Sequence, residues 1–237
     1  MEVPANLSPN LTILCANVLS TNQTPEKVIS YIRYIQPDLV LLQRVSPKWV
    51  ERLQPLIDSN YPYAELEPQS DNFEMATLSR VPVSSMHILA PVSSAIPVIE
   101  TKLKINGRAR AVLNFHPLPP GRPAIAELRN EQLDYLGTYI TEQTVLSIVA
   151  GDFNVTPWSP NYDSMMEETR LYNTRKGFDM LLTWPKPSIT RIDHILLSPE
   201  IITLDMRVDP NVSSDHRPLL VELYIPRKAE PSPTPED

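Results

Sequence analysis

Glycine is scarce in this sequence, five residues in 237, where ordinary usage is about 7%. A glycine-rich phosphate cradle needs several glycines close together, so P-loop and dinucleotide-binding fingerprints are excluded. The single cysteine, Cys15, excludes an internal disulfide framework and a multi-cysteine zinc site. It lies in an apolar run and reads as core. No stretch reaches the ~18 apolar residues of a membrane span, and the segment from Met1 to Asn10 lacks the basic-then-apolar pattern of a secretory signal. Positive charge is also short: 21 Lys and Arg against 28 Asp and Glu give a net charge of −7. A chain of that sign has no bulk grip on nucleic acid, which leaves a local basic cleft for any such ligand. As it stands the chain reads as cytoplasmic and monomeric, and as membrane-anchored if an anchor precedes Met1.

Proline is abundant, at 26 residues, and the 42% hydrophobic content is enough for a sizeable core. No repeat or internal linker divides the chain. It reads as one domain over 1–225, followed by a disordered, proline-rich tail over 226–237.

Residues 11–18 predict a buried strand. Thr24 and Pro25 then open a helix as N-cap and first helical residue, and Pro37 ends it. Asp38 to Val45 is near-continuously apolar, as in a strand covered on both faces. Ser46 and Pro47 start a second helix, through about Ile57. Short strands follow at Met75 to Ser79, Met86 to Ala90, Val98 to Ile105 and Arg108 to His116, the last two joined by the hairpin signal Asn106-Gly107. Arg108 and Arg110 alternate with alanines there, as edge protection or a basic rim. A helix from about Ala124 to Glu142, a strand from Val145 to Ala150 and a short helix near Tyr162 to Glu168 come next. Strands at Arg191 to Leu197, Thr203 to Val208 and Leu219 to Tyr224 complete the pattern. Strands alternating with helices around a hairpin-rich centre predict an α/β (α+β) sandwich.

Four polar clusters fall at the ends of predicted strands: Phe115-His116-Pro117, Gly151-Asp152-Phe153-Asn154, Ile192-Asp193-His194 and Ser214-Asp215-His216-Arg217. Carboxylates, an asparagine and histidines converging from separate strands can orient a water, balance charge on a phosphate and coordinate a divalent cation.

Asn17, LLQRV at 41–45, LSRVP at 78–82, HPLPP at 116–120, GDFN at 151–154, IDHIL at 192–196 and SDHRPL at 214–219 occur in one characteristic order. In these motifs the chain resembles the endonuclease/exonuclease/phosphatase superfamily, with its DNase-I-like fold, over about Leu11 to Tyr224. DNFEMATLSR, HPLPP, RNEQL and FNVTPWS resemble a bacterial branch described as YafD-like. The resemblance implies a four-layered sandwich, two mixed sheets packed face to face with helices outside. It also implies metal-dependent hydrolysis of a phosphate ester by water, nucleic acid being one candidate substrate, with magnesium or manganese as cofactor and no covalent intermediate.

By the same resemblance, His216 paired with Asp193 is the imidazole at the scissile phosphate, as base or charge stabiliser. Asp152 and Asn154 hold the attacking water and a phosphate oxygen, and His116 is a second donor. Asn17 and Asp215 lie in the metal shell. One departure stands out: Arg44 occupies the place of the family's metal-binding glutamate, and a guanidinium cannot ligate a cation. Either metal-dependent activity is impaired, or the site uses another acid, Glu74 in SDNFEMA being the best candidate by sequence position and otherwise a solvent-facing strand residue. The rival function is a catalytically silent phosphate-binding or scaffold protein on the same fold. Trp49, Trp158 and Trp184 are candidates to stack on bases or to pack a core, the last two lying in proline-rich loops near the motifs.

Overall fold

Proline opens each helix of the described chain: α1 (Pro25–Ile35), α2 (Pro47–Asn60), α3 (Pro123–Glu142) and α4 (Pro160–Thr169). Its locked φ suits the first helical position, where its missing N–H would have had no intrahelical partner. Thr24 and Ser46 occupy the N-cap positions, but neither side chain makes a cap bond. Instead Asn22 Oδ1 accepts the Thr24 N–H at 2.8 Å, and proline pre-orders the turn. The computed structural model describes residues 7–67, 73–89, 96–175, 178, 182–184, 190–209 and 212–227. Most of the proline-rich tail lies outside them.

One six-stranded sheet, A, is formed by β1 (Leu11–Asn17), β2 (Leu39–Gln43), β3 (Tyr63–Glu67), β4 (Met75–Ser79), β11 (Ile202–Val208) and β12 (Leu219–Tyr224), in the order β11-β12-β1-β2-β4-β3. The other, B, is formed by β5 (Val83–Leu89), β6 (Val98–Ile105), β7 (Arg108–Phe115), β8 (Leu146–Asp152), β9 (Tyr172–Asn173) and β10 (Asp193–Leu197), in the order β5-β6-β7-β8-β10-β9. Each sheet has one parallel pair, β1 with β2 and β7 with β8, and its other pairings are antiparallel. A helix connects each parallel pair, α1 in the first and α3 in the second, as a parallel connection requires.

Period-two alternation explains the layers. Leu11, Ile13 and Cys15 on β1, with Leu39 and Leu41 on β2, meet Val112, Ile148 and Ile195 of sheet B in a central core. The intervening Leu14, Ala16, Val40 and Leu42 face Val28, Ile32, Leu53 and Leu56 of α1 and α2. On the far side, Leu113, Val149 and Leu196 pack on Leu133, Leu136 and Met165 of α3 and α4. The result is the expected sandwich of helices, sheet, sheet and helices.

The sequence pattern assigns no strand to β3, an edge strand whose YAELE offers only Ala64 and Leu66 in alternation with glutamates, or to β9, which is only two residues long. Helix α2 continues to Asn60 past Pro55. Arg110 is 2% exposed and forms no rim; one guanidinium N–H donates to the Ala109 carbonyl at 2.6 Å.

A polar tie crosses the apolar interface between the sheets. Asn114 on β7 accepts a hydrogen bond from Gln43 Nε2 of β2 at 2.7 Å. Its own Nδ2 donates to the carbonyls of Leu42 and Ala76 at 3.2 and 3.1 Å. Both side chains are fully buried. Replacing Asn114 by alanine strands the Gln43 amide in the core, a loss of about 2–4 kcal/mol or roughly 5–15 °C in melting temperature. Calorimetry on Asn114→Ala checks this.

Candidate active site

The parallel strands carry the first half of the site to one end of the sandwich. Asn17 ends β1, Arg44 follows β2, His116 follows β7 and Asp152 ends β8. Antiparallel neighbours enter at that same end: Asp193 opens β10 opposite Asp152, and Ser214, Asp215 and His216 lead into β12 beside β1. Sheet A therefore supplies Asn17, Arg44, Asp215 and His216, while sheet B supplies His116, Asp152, Asn154 and Asp193.

Asp152 is the hub. Its Oδ2 accepts from Asn17 Nδ2 at 3.0 Å across the sheet interface, and lies 3.6 Å from His216 Nε2 and 3.7 Å from His116 Nε2. Asp152 Oδ1 accepts the Asn154 N–H at 3.0 Å. The other edge of His216, Nδ1, is 2.9 Å from Asp193 Oδ2. Ser214 fixes the imidazole from below: its Oγ donates to the Asn17 carbonyl at 2.7 Å and accepts the His216 N–H at 3.1 Å.

Burial sets the protonation states. It pushes the Asp152 carboxyl up to about 6, with the negative Asp193 adding to the effect. Burial opposes charge on Asp193 and His216 too, but their mutual attraction prevails. Asp193 is held below the usual carboxylate range, and His216 is raised to about 9 by Asp193 and then Asp152. His116 is lowered to about 3 by burial and then by the charges of Arg44 and His216, so it is neutral at pH 7. Its Nδ1 is buried without a hydrogen-bond partner.

Asn154 lies in the left-handed region, φ +50°, which asparagine tolerates. Its Nδ2 donates to the Pro117 carbonyl at 2.9 Å, tying the Asp152 loop to the His116 loop. Gly151 is required by close approach: a Cβ there would lie 1.7 Å from the Phe115 carbonyl oxygen.

Arg44 is also left-handed, at φ +64°, held by its N–H to the Glu74 carbonyl at 2.7 Å. For a long side chain such backbone costs about 1–3 kcal/mol. Its guanidinium reaches Asp215 Oδ2 at 3.5 Å, with the two side chains 21% and 40% exposed. An exposed pair of this kind contributes about 0–1 kcal/mol, too little to offset the strain. Glu74 is 2% exposed, not solvent-facing, because its segment is folded under the Arg44 turn.

Four supporting residues receive no role of their own in the sequence analysis, although three of them lie in its motifs. Arg129 Nη1 donates to the Asn154 carbonyl at 2.7 Å, and buried Arg175 donates to the Asp193 carbonyl at 2.7 Å. His194 is a core histidine, bonded to the Val155 carbonyl at 2.8 Å and kept neutral mainly by burial. Ser214 is the fourth; its place in SDH, like that of His194 in IDHIL and Arg129 in RNEQL, was the available signal. At the rim, Trp184 stacks near His216 with ring centroids 6.1 Å apart, and Trp158 is 68% exposed beneath Arg191, whose Cζ is 5.2 Å from its ring.

The model of the endonuclease/exonuclease/phosphatase family matches residues 14–216. The chain belongs to this family. It is a family of phosphoesterase- and nuclease-type hydrolases, typically dependent on divalent metal, and Asp152, Asp193 and His216 each bring a donor atom within 4.8 Å of the others, compact enough to hold an ion. Among solved structures, an endonuclease/exonuclease/phosphatase from Bacteroides vulgatus aligns with TM-score 0.77 at 17% identity, covering 91% of this chain and 99% of that one. The D. rerio TDP2 complexed with single-strand DNA product aligns at 0.74 and 18%, covering 90% and 98%. A Beutenbergia cavernae relative aligns at 0.74 and 19%, covering 92% and 72%. At these identities the likeness is one of fold. No curated protein matches the sequence. Among the described residues no helix is long and apolar enough to cross a membrane.

The raised pKa of His216 has a consequence for stability. Its contribution is complete below pH 6.5 and is lost as pH rises through about 9. Denaturant unfolding of the wild type at pH 6.5 and pH 9 should show a fall in stability that His216→Ala lacks.

Proposed function

We propose that this protein hydrolyses a phosphodiester by direct attack of water. The observation that carries the reading is His216 held between two buried carboxylates, Asp193 at 2.9 Å and Asp152 at 3.6 Å. A silent binder has no use for that arrangement, so the scaffold alternative is not favoured. With its pKa near 9 the imidazole is a cation at neutral pH, fitted to stabilise charge on the phosphate and to protonate the leaving oxygen through Nε2. Asp152, near 6, accepts a proton from the attacking water as the water oxygen bonds to phosphorus. The phosphorus–oxygen bond to the leaving group breaks, and its oxygen departs with the His216 proton. Neutral His116 donates to a non-bridging oxygen. Asn154 positions the Asp152 loop through Pro117.

Magnesium or manganese is the cofactor implied by the family resemblance, with Asn17 and Asp215 as ligands. Those positions do not fit a divalent ion here. Asn17 Oδ1 accepts the Leu19 N–H at 3.2 Å, and Asp215 already faces Arg44. The fixed guanidinium repels a second cation, so metal-assisted turnover is impaired in this chain.

The aromatic rim supports a nucleotide-containing substrate. Trp158 follows Asn154 by four residues, Arg191 precedes Asp193 by two, and their stacked pair leaves the indole open to solvent. Base stacking on such a ring is worth about 1–3 kcal/mol.

Hydrolysis of bis(p-nitrophenyl) phosphate tests the reading. Asp152→Asn and His216→Ala should each lose at least ~100-fold in kcat, the usual worth of one acid or base; unchanged turnover in either folded variant would sink the assignment. Trp158→Ala should raise KM for a dinucleotide about tenfold while leaving a dialkyl phosphate unaffected.

A further inference from the structure

We propose that Arg44 is itself the phosphate-binding cation of this cleft, so that the chain binds a phosphate anion without a divalent metal. The inference rests on the functional reading above and adds to it the means by which substrate charge is met. The first observation is the backbone. A non-glycine residue is held at φ +64° at the end of β2, and the weak ion pair with Asp215 does not account for keeping it.

The second is unspent donor capacity. Arg44 Nε is buried without a hydrogen-bond partner, and Nη1 stands 3.5 Å from Asp215, beyond a good charge-assisted bond. A guanidinium carries five N–H donors in a plane, the geometry that matches two phosphate oxygens. Asp215 is partly open to solvent, so an anion entering the cleft competes with it directly.

The third is position. The Arg44 charge is felt at His116, whose Nε2 faces Asp152, and Asp215 is the residue before His216. Arg44 therefore lies at the same end of the sandwich as the two histidines and Asp152, through its contact with Asp215. Three carboxylates at this end already have nitrogen partners: Asp215 has Arg44, Asp193 has His216, and Asp152 has His216 and Asn17. A divalent ion would compete with these nitrogen partners and meet the Arg44 charge, whereas a phosphate needs only the donors left over.

Binding of inorganic phosphate to the chelator-treated whole chain, by calorimetry in EDTA and again in excess magnesium, tests this directly. The wild type should bind equally in both. Arg44→Glu should bind no phosphate in EDTA and should take up Mn²⁺, read by the loss of the free-ion signal in electron paramagnetic resonance, where the wild type does not. Arg44→Gly separates binding from structure, since glycine relieves the positive φ. It should melt at a higher temperature than the wild type, yet bind phosphate about tenfold or more weakly, the worth of a charge-assisted hydrogen bond. Phosphate binding that needs magnesium in the wild type, or survives intact in Arg44→Gly, overturns the proposal. Diester hydrolysis without Arg44-dependent phosphate binding would leave the hydrolase reading standing alone. Arg44-dependent binding without hydrolysis would leave only this one.

Discussion

The hydrogen bond from Gln43 to Asn114 is the constraint on which the rest depends. Two apolar sheet faces can slide over one another at little cost, because hydrophobic burial is non-directional. A buried amide pair cannot, since any shift of an ångström or two leaves donors unpaired in the core. The pair belongs to β2 and β7, and the residues that follow those strands, Arg44 and His116, come from the two different sheets at the same end of the sandwich. With the sheets locked there, Asn17 of sheet A can meet Asp152 of sheet B at 3.0 Å, and His216 can reach both Asp152 and Asp193. The precision of the polar centre is inherited from a register fixed one layer below it.

Burial then differentiates groups that look alike in sequence. Asp152 and Asp193 are directly opposed on β8 and β10, yet one is raised and the other lowered. Asp193 has the short contact with His216 and a guanidinium at its carbonyl, while Asp152 has longer contacts to the histidines and faces the Asp193 charge. Two carboxylates whose environments pull them apart are what acid–base chemistry requires. Three of the four histidines show the same divergence: His216 is kept charged, and His116 and His194 neutral.

The layers were legible because strands buried on both faces leave long apolar runs, as in LVLLQ, and because proline marks each helix start. The convergence of Asp152, Asp193 and His216 was legible only through motif order, since no local pattern brings together residues from separate strands. What stayed hidden depends on three-dimensional surroundings. Glu74 and Arg110 look like surface charges in sequence, and only the packing around them shows otherwise. His194 stands next to Asp193 and has the same composition cues as His216, but strand alternation turns it into the core against Phe153. Arg129 and Arg175 act through backbone carbonyls, which carry no sequence signature.

The pairing of β1 with β12, Leu11 opposite Leu223, joins strands from the two ends of the described chain. Sheet A cannot be completed until the last of these strands has left the ribosome, and His216 enters the cleft only as β12 docks. During synthesis the emerging chain therefore carries Asn17, Asp152 and Asp193 without the imidazole between them. The residue cluster is incomplete in the nascent polypeptide and is assembled in one step, on closure of a long loop whose entropy is met only by the final strand.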